Sequence, residues 1–373
     1  MNRTIINAAC IILCVMLLTI GCRQSPDVCV DVVDVSTSHI SRLDEVIESQ
    51  ELIPLANIEE ASFSRIDGTF FSENYYILKD RKDILYVFEK DGSFVSNSRK
   101  VYGRGSGEYV LCLAYSYNQY SHDIEIVVPD GIMFYDVNFN FIKKVKFKDK
   151  KLNSMMFNHI YDVDASKHIL FSPQEVHKDQ ANYYVYDSQK EKLITTTEYP
   201  RECQYITMQR QCVSDGNFIA FPCMNYTFYE LDGDQNYNPV ISLNFGENAW
   251  QEKDPSGSEG KEKLLTTSKS MPLRTFRSGD FVVSLIKEGN KLSDFKTAII
   301  DTKNRNCKII ATENDGIKFP MVDYFSENTL YSFIPAYEKQ QYVDTALLDE
   351  SSRNIYNSYS SEANYIVLKS HLK

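Results

Sequence analysis

Residues 101–110, VYGRGSGEYV, are the first place in this chain to look for chemistry. Gly103, Gly105 and Gly107 alternate with Arg104 and Ser106, and Glu108 and Tyr109 follow. Glycine loops that cradle phosphates read GxGxxG or GxxxxGK and open a helix whose N-terminus receives the anion. Here the spacing is GxGxG and no helical pattern follows, which argues against a nucleotide site. The six histidines (His39, His122, His159, His168, His177, His371) form no HxH or HExxH pair. His159 and His168 fall in or beside strand patterns and read as polar packing. His177, with Glu175 and Asp179 beside it, reads as a solvated acidic loop. There is no GxSxG, so the serine-hydrolase elbow is missing. Asp162, Asp164, Asp215 and Asp323 lie near expected inner strands. They are scattered in sequence, but a ring can bring scattered carboxylates together around a divalent cation in a central channel. The sequence assigns no catalytic residue and requires no cofactor.

Cysteine usage adds little redox or metal chemistry. Nine cysteines occur without a CxxC, so a zinc knuckle or thioredoxin-type site is not expected. Cys10 and Cys14 fall in the apolar leader, and Cys22 closes it. Cys29, Cys112, Cys203, Cys212, Cys223 and Cys307 remain. Cys203, Cys212 and Cys223 could pair, or all could be buried thiols in strands. The net charge of −11 opposes nucleic-acid binding, which calls for a basic patch or stripe.

The elements that would position such residues are strands. Runs such as NYYILKD, ILYVFEK, IEIVVPD, IMFYDV, YYVYDS and FVVSLIK alternate and are bounded by Asp, Asn, Gly and Pro. Helical periodicity appears only near 42–49 and 336–358. An acidic residue before a turn recurs at Glu89, Asp136, Asp187, Asp232 and Asp301, at intervals of 47, 51, 45 and 69 residues. The last interval is lengthened by the polar stretch 246–270. Without it the period stays near 45, which with four strands per unit means an all-β, six-bladed β-propeller with four-stranded blades. The expected blades are 62–100, 109–148, 155–199, 205–246 and 271–312. The sixth has strands at 317–324 and 328–334, a helical excursion at 335–363, and a C-terminal strand. It lacks an outer strand. The segment ELIPLAN, 51–57, supplies that strand, closing the ring at the N-terminal end and removing an exposed sheet edge.

On this scheme 101–109 is the crossing from the outer strand of one blade to the inner strand of the next. Glycine reaches positive φ without steric cost, so Gly103, Gly105 and Gly107 suit the crossing, with Arg104 and Glu108 expected to tie it to neighbouring blades. The crossings and the loops between second and third strands share one side of the ring. That side collects 101–109, 172–182, 246–270, 287–294 and 335–363, and long irregular loops over a rigid scaffold are where binding residues concentrate.

The N-terminus gives an address. Arg3 precedes an uncharged apolar run from Ile5 to Ile20 that is short for a spanning helix and reads as a secretion signal, residues 1–21. Gly21-Cys22 at its end resembles a bacterial lipobox, with Thr19 in place of the usual Leu. In that reading Cys22 is acylated and anchors the chain to a membrane; the alternative is plain secretion. Residues 22–41 are polar and read as a tether, and 42–373 as the propeller.

The order lipobox, ELIPLAN, YVFEKDGSF, YGRGSGEYV and closing NYIVLKSHL resembles the six-bladed β-propeller lipoproteins of Gram-negative bacteria, loosely related to NHL repeats. Ser106 stands where that family usually has Pro. The match is strongest over 50–147. The resemblance implies an outer-membrane lipoprotein of the cell envelope, facing the periplasm or the surface, and it implies no shared activity. Two functions follow as expectations. One is a binding protein that holds a protein, peptide or glycan on its loop-rich face. The other is a channel-centred, metal-assisted hydrolase or lyase.

Overall fold

The computed structural model describes residues 31–172 except 37 and 64, 183–197, 212–214, 217–220, 226–231, 237–249, 266, 270–287 and 295–373 except 315. Three strands come before the first blade: β1 (Asp31–Asp34), β2 (Ile40–Ser41) and β3 (Ile47–Pro54). Blade one is β4 (Ile66–Phe71), β5 (Tyr75–Asp80), β6 (Leu85–Glu89) and β7 (Phe94–Asn97). Blade two is β8 (Ala114–Asn118), β9 (Asp123–Val128), β10 (Gly131–Tyr135) and β11 (Phe141–Lys146). Blade three is β12 (His159–Asp162), β13 (Lys167–Phe171), β14 (Tyr183–Asp187) and β15 (Lys192–Thr197). Blade four is β16 (Cys212–Ser214), β17 (Asn217–Ala220), β18 (Thr227–Leu231) and β19 (Tyr237–Asn244). Blade five is β20 (Met271–Ser278), β21 (Phe281–Lys287), β22 (Phe295–Asp301) and β23 (Asn306–Ile310). A small hairpin, β24 (Glu313–Asn314) and β25 (Ile317–Lys318), comes before β26 (Tyr324–Ser326), β27 (Thr329–Pro335) and β28 (Tyr365–Leu372) of blade six.

Blades one to five pair their own four strands in sequence order, and blade six pairs β26, β27 and β28 with β3. The first strands of blades one and two, two and three, four and five, and five and six approach one another, as a six-bladed β-propeller requires. Three of the acidic residues that mark the period have a mechanical role. Asp136 Oδ1 accepts from the backbone N–H of Asn138 and Asn140, both at 2.9 Å, and holds the turn between third and fourth strands. Asp187 does the same through Lys190 N–H and Asp301 through Asn304 N–H, and these bonds hold both carboxyls below the usual range. Asp232 lies outside the described residues.

Apolar faces of neighbouring blades meet and exclude water between them. Ile77, Leu85 and Val87 of blade one pack with Ile124, Ile126 and Met133 of blade two. Val127, Ile132 and Phe134 pack with Ile160, Leu170 and Tyr184 of blade three. Each fully buried side chain of this kind contributes about 1.5–3 kcal/mol.

Ring closure follows the sequence expectation, with a shifted range. β3 is the outer strand of blade six, antiparallel to β28, with Leu52 opposite Leu368 and Ile53 opposite Val367. The helical pattern near 42–49 yields only one turn, α1 (Leu43–Val46), because Ile47 already pairs with Leu372 in the sheet. The stretch expected as a tether up to residue 41 is seated on the ring from Asp31 onward. β1 adds a parallel fifth strand to blade four and β2 one to blade five. The reason is apolar: Val33 and Val35 are buried against Ile241, Leu243 and Phe245. The first strand of blade six is β26 and not 317–324. Pro320 cannot donate to a ladder, and Ile317 pairs back to Asn314 instead.

Candidate functional site

The excursion between β27 and β28 is built from its own capping groups. A short 3-10 turn (Ala336–Glu338) leads into α2 (Lys339–Tyr342), and α3 (Glu350–Ser358) follows. Asp349 caps α3 by accepting from Ser352 N–H at 2.7 Å. Lys339, almost wholly buried, donates its ammonium to the carbonyls of Tyr356 and Tyr359 at the end of α3, where a cation suits the helix dipole. Leu52 N–H donates to Ser352 Oγ at 3.0 Å and Tyr359 Oη donates to Leu55 O at 2.7 Å, so the excursion is docked on the closing strand.

Beside it a cleft of about 240 Å³ opens between blades six and one, lined by Arg65, Met321, Asp323, Pro335, Tyr342 and Tyr365 among others. These residues sit at the start of β4, before β26, at the end of β27 and at the start of β28. That is the side of the ring where the crossings run. Asp323 is held in place: Arg274 of blade five pairs with its Oδ1 at 3.0 Å, and Phe333 N–H donates to Oδ2 at 2.9 Å. Met321 of the lining is 48% exposed, and Tyr337, two positions beyond Pro335, is 67% exposed. Pockets for drug-sized ligands run to roughly 300–1,000 Å³, so this cleft fits one side chain or one small ring. Of the other long segments on this side, 173–182, 250–265 and 288–294 lie outside the described residues.

The crossing from β7 to β8 is a tied loop. Tyr109 N–H donates to Val101 O at 3.0 Å and Gly103 N–H to Tyr109 O at 2.9 Å. Glu108 accepts from Gly105 N–H at 2.7 Å, so it braces the loop from within, and among the described residues it makes no hydrogen bond or ion pair to a neighbouring blade. Arg104 is exposed and makes no hydrogen bond or ion pair among the described residues, contrary to the expectation that it ties blades. The ties come from phenols: Tyr109 Oη donates to Asp83 O at 2.8 Å in blade one, and Tyr135 Oη of blade two donates to Gly107 O at 3.1 Å. Only Gly107 uses positive φ, at +79°. Gly103 and Gly105 are small for space, since a Cβ on either would meet the Glu108 carboxyl, at 2.2 Å for Gly103.

Among the described residues the inner-strand aspartates do not converge. Asp323 is engaged as described, and Asp215 lies outside the described residues. Asp164 Oδ1 closes a turn by accepting from Ser166 and Lys167 N–H at 2.8 Å. Asp162 instead meets His168 and Glu125 in the core between blades two and three, with His168 Nδ1 2.9 Å from Asp162 Oδ1 and 3.0 Å from Glu125 Oε2. Sequence reading gave His168 a packing role and passed over Glu125. The signal was a carboxylate inside the apolar run IEIVV, where an unpaired charge is not tolerated. His122 meets Tyr117 Oη five positions away, and His371 meets Thr329 Oγ1 across β27 and β28; His177 lies outside the described residues. Cys112 and Cys307 are buried free thiols, while Cys29, Cys203 and Cys223 lie outside the described residues.

Residues 28–370 match the family described as a domain of unknown function, DUF4934. The chain belongs to that family. No curated protein matches it. Among solved structures, a Bacteroides fragilis protein whose export is inferred superposes with a TM-score of 0.70 at 14% identity, over 92% of this chain and 99% of that one. At that identity the likeness extends to the fold alone. YCF48 bound to the D1 peptide gives 0.47 at 14% identity, over 90% of this chain and 100% of that one, and the RRP9 WD40 repeats give 0.46 at 7%, over 88% and 100%. The DUF4934 family is therefore represented here by a six-bladed ring with a docked helical excursion on one face.

Proposed function

We propose that this DUF4934 protein is an exported binding module, anchored to a membrane through acylated Cys22, that grips a protein, peptide or glycan on its loop-rich face. The cleft between blades six and one carries the reading. It lies where the crossings and the excursion gather, its floor is fixed by the Arg274–Asp323 pair, and its size suits one inserted side chain or sugar ring. Arg65 and Met321, both exposed, line it, and the exposed Tyr337 follows the lining residue Pro335, giving one cation beside apolar surface. The leader ending in Gly21-Cys22 supports the anchor, and the inferred export of the Bacteroides fragilis neighbour fits the same address. Among the described residues no helix is long and apolar enough to cross a membrane. Acyl chains on Cys22 would supply the attachment. The address that follows is the cell envelope of a Gram-negative bacterium, with the ring held at the outer membrane. The acidic net charge disfavours nucleic acid as partner.

Two measurements test this. Cys22→Ser should release the protein from the membrane fraction and abolish acyl labelling; unchanged labelling would remove the anchor. Peptide and glycan panels should return ligands whose affinity falls at least tenfold in Tyr337→Ser and Met321→Asp at unchanged melting temperature. Ligands indifferent to both changes would place binding elsewhere.

A further inference from the structure

We propose that Glu125, Asp162 and His168 hold one divalent transition-metal ion between blades two and three. The three come from different strands: Glu125 from β9, Asp162 from the end of β12, and His168 from β13, directly opposite Asp162 in the ladder. Their donor atoms all lie within 4.8 Å of one another, and Glu125 and His168 are fully buried.

Ser188 Oγ lies 3.0 Å from both Ser166 O and His168 Nε2, and Ser166 O also accepts from Ser188 N–H at 2.8 Å. In the tautomer protonated at Nε2 the hydroxyl accepts from that nitrogen, and in either tautomer Nδ1 is the nitrogen that faces the two carboxylates. Without a cation between them, Nδ1 and the two carboxylate oxygens would turn three lone pairs on each other. A proton on Nδ1 serves only one of the oxygens. It goes to Asp162 Oδ1, and Glu125 Oε2, although 3.0 Å from the same nitrogen, is buried without a hydrogen bond.

A divalent ion serves all three. It also balances charge: two carboxylates and a neutral imidazole sum to −2, whereas the imidazolium leaves −1 in the dry interior. Among the described residues no Lys or Arg forms an ion pair with either carboxylate. The outer shell is already of the kind that metal sites use, with the second imidazole nitrogen donating to an oxygen and the ligating carboxylate held from behind. Asn118 Nδ2 supplies that hold, donating to Glu125 Oε1 at 2.9 Å and to Asp164 O at 3.1 Å, which turns Oε2 inward and links the two blades. Tetrahedral ligands about 2.0–2.1 Å from zinc lie about 3.3 Å apart, a few tenths of an ångström wider than the contacts seen. One imidazole with two carboxylates suits zinc or manganese better than magnesium or calcium. The ion would staple two blades and lies off the channel axis, so it stands or falls apart from the binding face.

The test uses the full chain after chelator treatment and dialysis, titrated calorimetrically with ZnCl₂ and with MnCl₂. One equivalent of zinc or manganese should bind, raising the melting temperature by a few degrees at hundredfold excess over Kd. Affinity should fall at least 100-fold in Glu125→Gln. X-ray absorption on the zinc-loaded wild type should show nitrogen and oxygen neighbours with one imidazole. A folded, metal-stripped wild type that takes up neither ion overturns the proposal. So does uptake that is equal in Glu125→Gln, or a sulfur neighbour, which would point to the cysteines.

Discussion

Replacing the glycines of the crossing separates two physical reasons for having glycine there. In Gly107→Ala the new residue must sit at φ +79°, and left-handed backbone costs a residue with a Cβ about 1–2 kcal/mol. Its Cβ would also lie 2.8 Å from the Phe141 ring, but that ring is half-exposed and can swing aside. The stiffer unfolded chain returns about 0.4–1 kcal/mol. The net loss expected is about 1 kcal/mol, read by urea denaturation because a chain this long melts only about 1–2 °C lower per kcal/mol. Gly103→Ala has ordinary φ and a different cost. Its Cβ would meet Glu108 Oε2 at 2.2 Å and push away the carboxylate that accepts from Gly105 N–H, about 1 kcal/mol for an exposed charge-assisted bond. In a Glu108→Ala background the Gly103→Ala cost should vanish, while the Gly107→Ala cost should persist. A coupling energy near zero between positions 103 and 108, or a neutral Gly107→Ala, would refute this account of the loop. Calorimetry with ATP, GTP and NAD should show no binding heat in any of these proteins.

Removing residues before 60 should expose the β28 edge and the partners of Leu52 and Ile53, giving a broad or aggregating melt; an unaltered cooperative transition would argue against closure by β3. Lys90 lies over the rings of Phe71, Tyr76 and Tyr331, 4.3 Å from the Tyr76 centroid, and burial, with Lys369 nearby, pushes its ammonium down to about 8. The unfolded lysine keeps its proton to about 10.4, so between those values the unfolded state binds more protons and stability rises with pH. The stability of the wild type relative to Lys90→Met should therefore increase from pH 8 to pH 10, partly offset by the ring attraction that favours the charge; a flat difference would contradict it. Asp349→Ala should cost about 1 kcal/mol in denaturant midpoint through loss of the α3 cap, and Asp349→Asn much less.

The period near 45 was legible because the turn aspartates recur, and each of the described ones does the same hydrogen-bonding work. Closure by the segment around Leu52 was legible because blade six was one strand short and ELIPLAN had no other place. The parallel strands β1 and β2 were not: Val33 and Val35 show the alternation of an ordinary strand, and only the blade-four core reveals what they bury against. Likewise the position of Glu125 inside an apolar run signals a buried partner, but local patterning cannot say that the partner sits 43 positions on, across a blade boundary. Arg104 misled because charge beside glycines suggests a tie, whereas phenols made it.

The pairing of β3 with β28 also sets a timetable. Gln50 and Ser370, which bond across that seam, are 320 residues apart. At about 5–20 residues per second of synthesis, β3 would wait roughly 15–60 s for its partner to be made. Throughout that interval a strand carrying Ile47, Leu52 and Ile53 has no native neighbour, and contacts of such separation are slow to form even once both halves exist. The seam is thus the last joint to set, and a chain cut short anywhere before residue 365 has no strand with which to latch it.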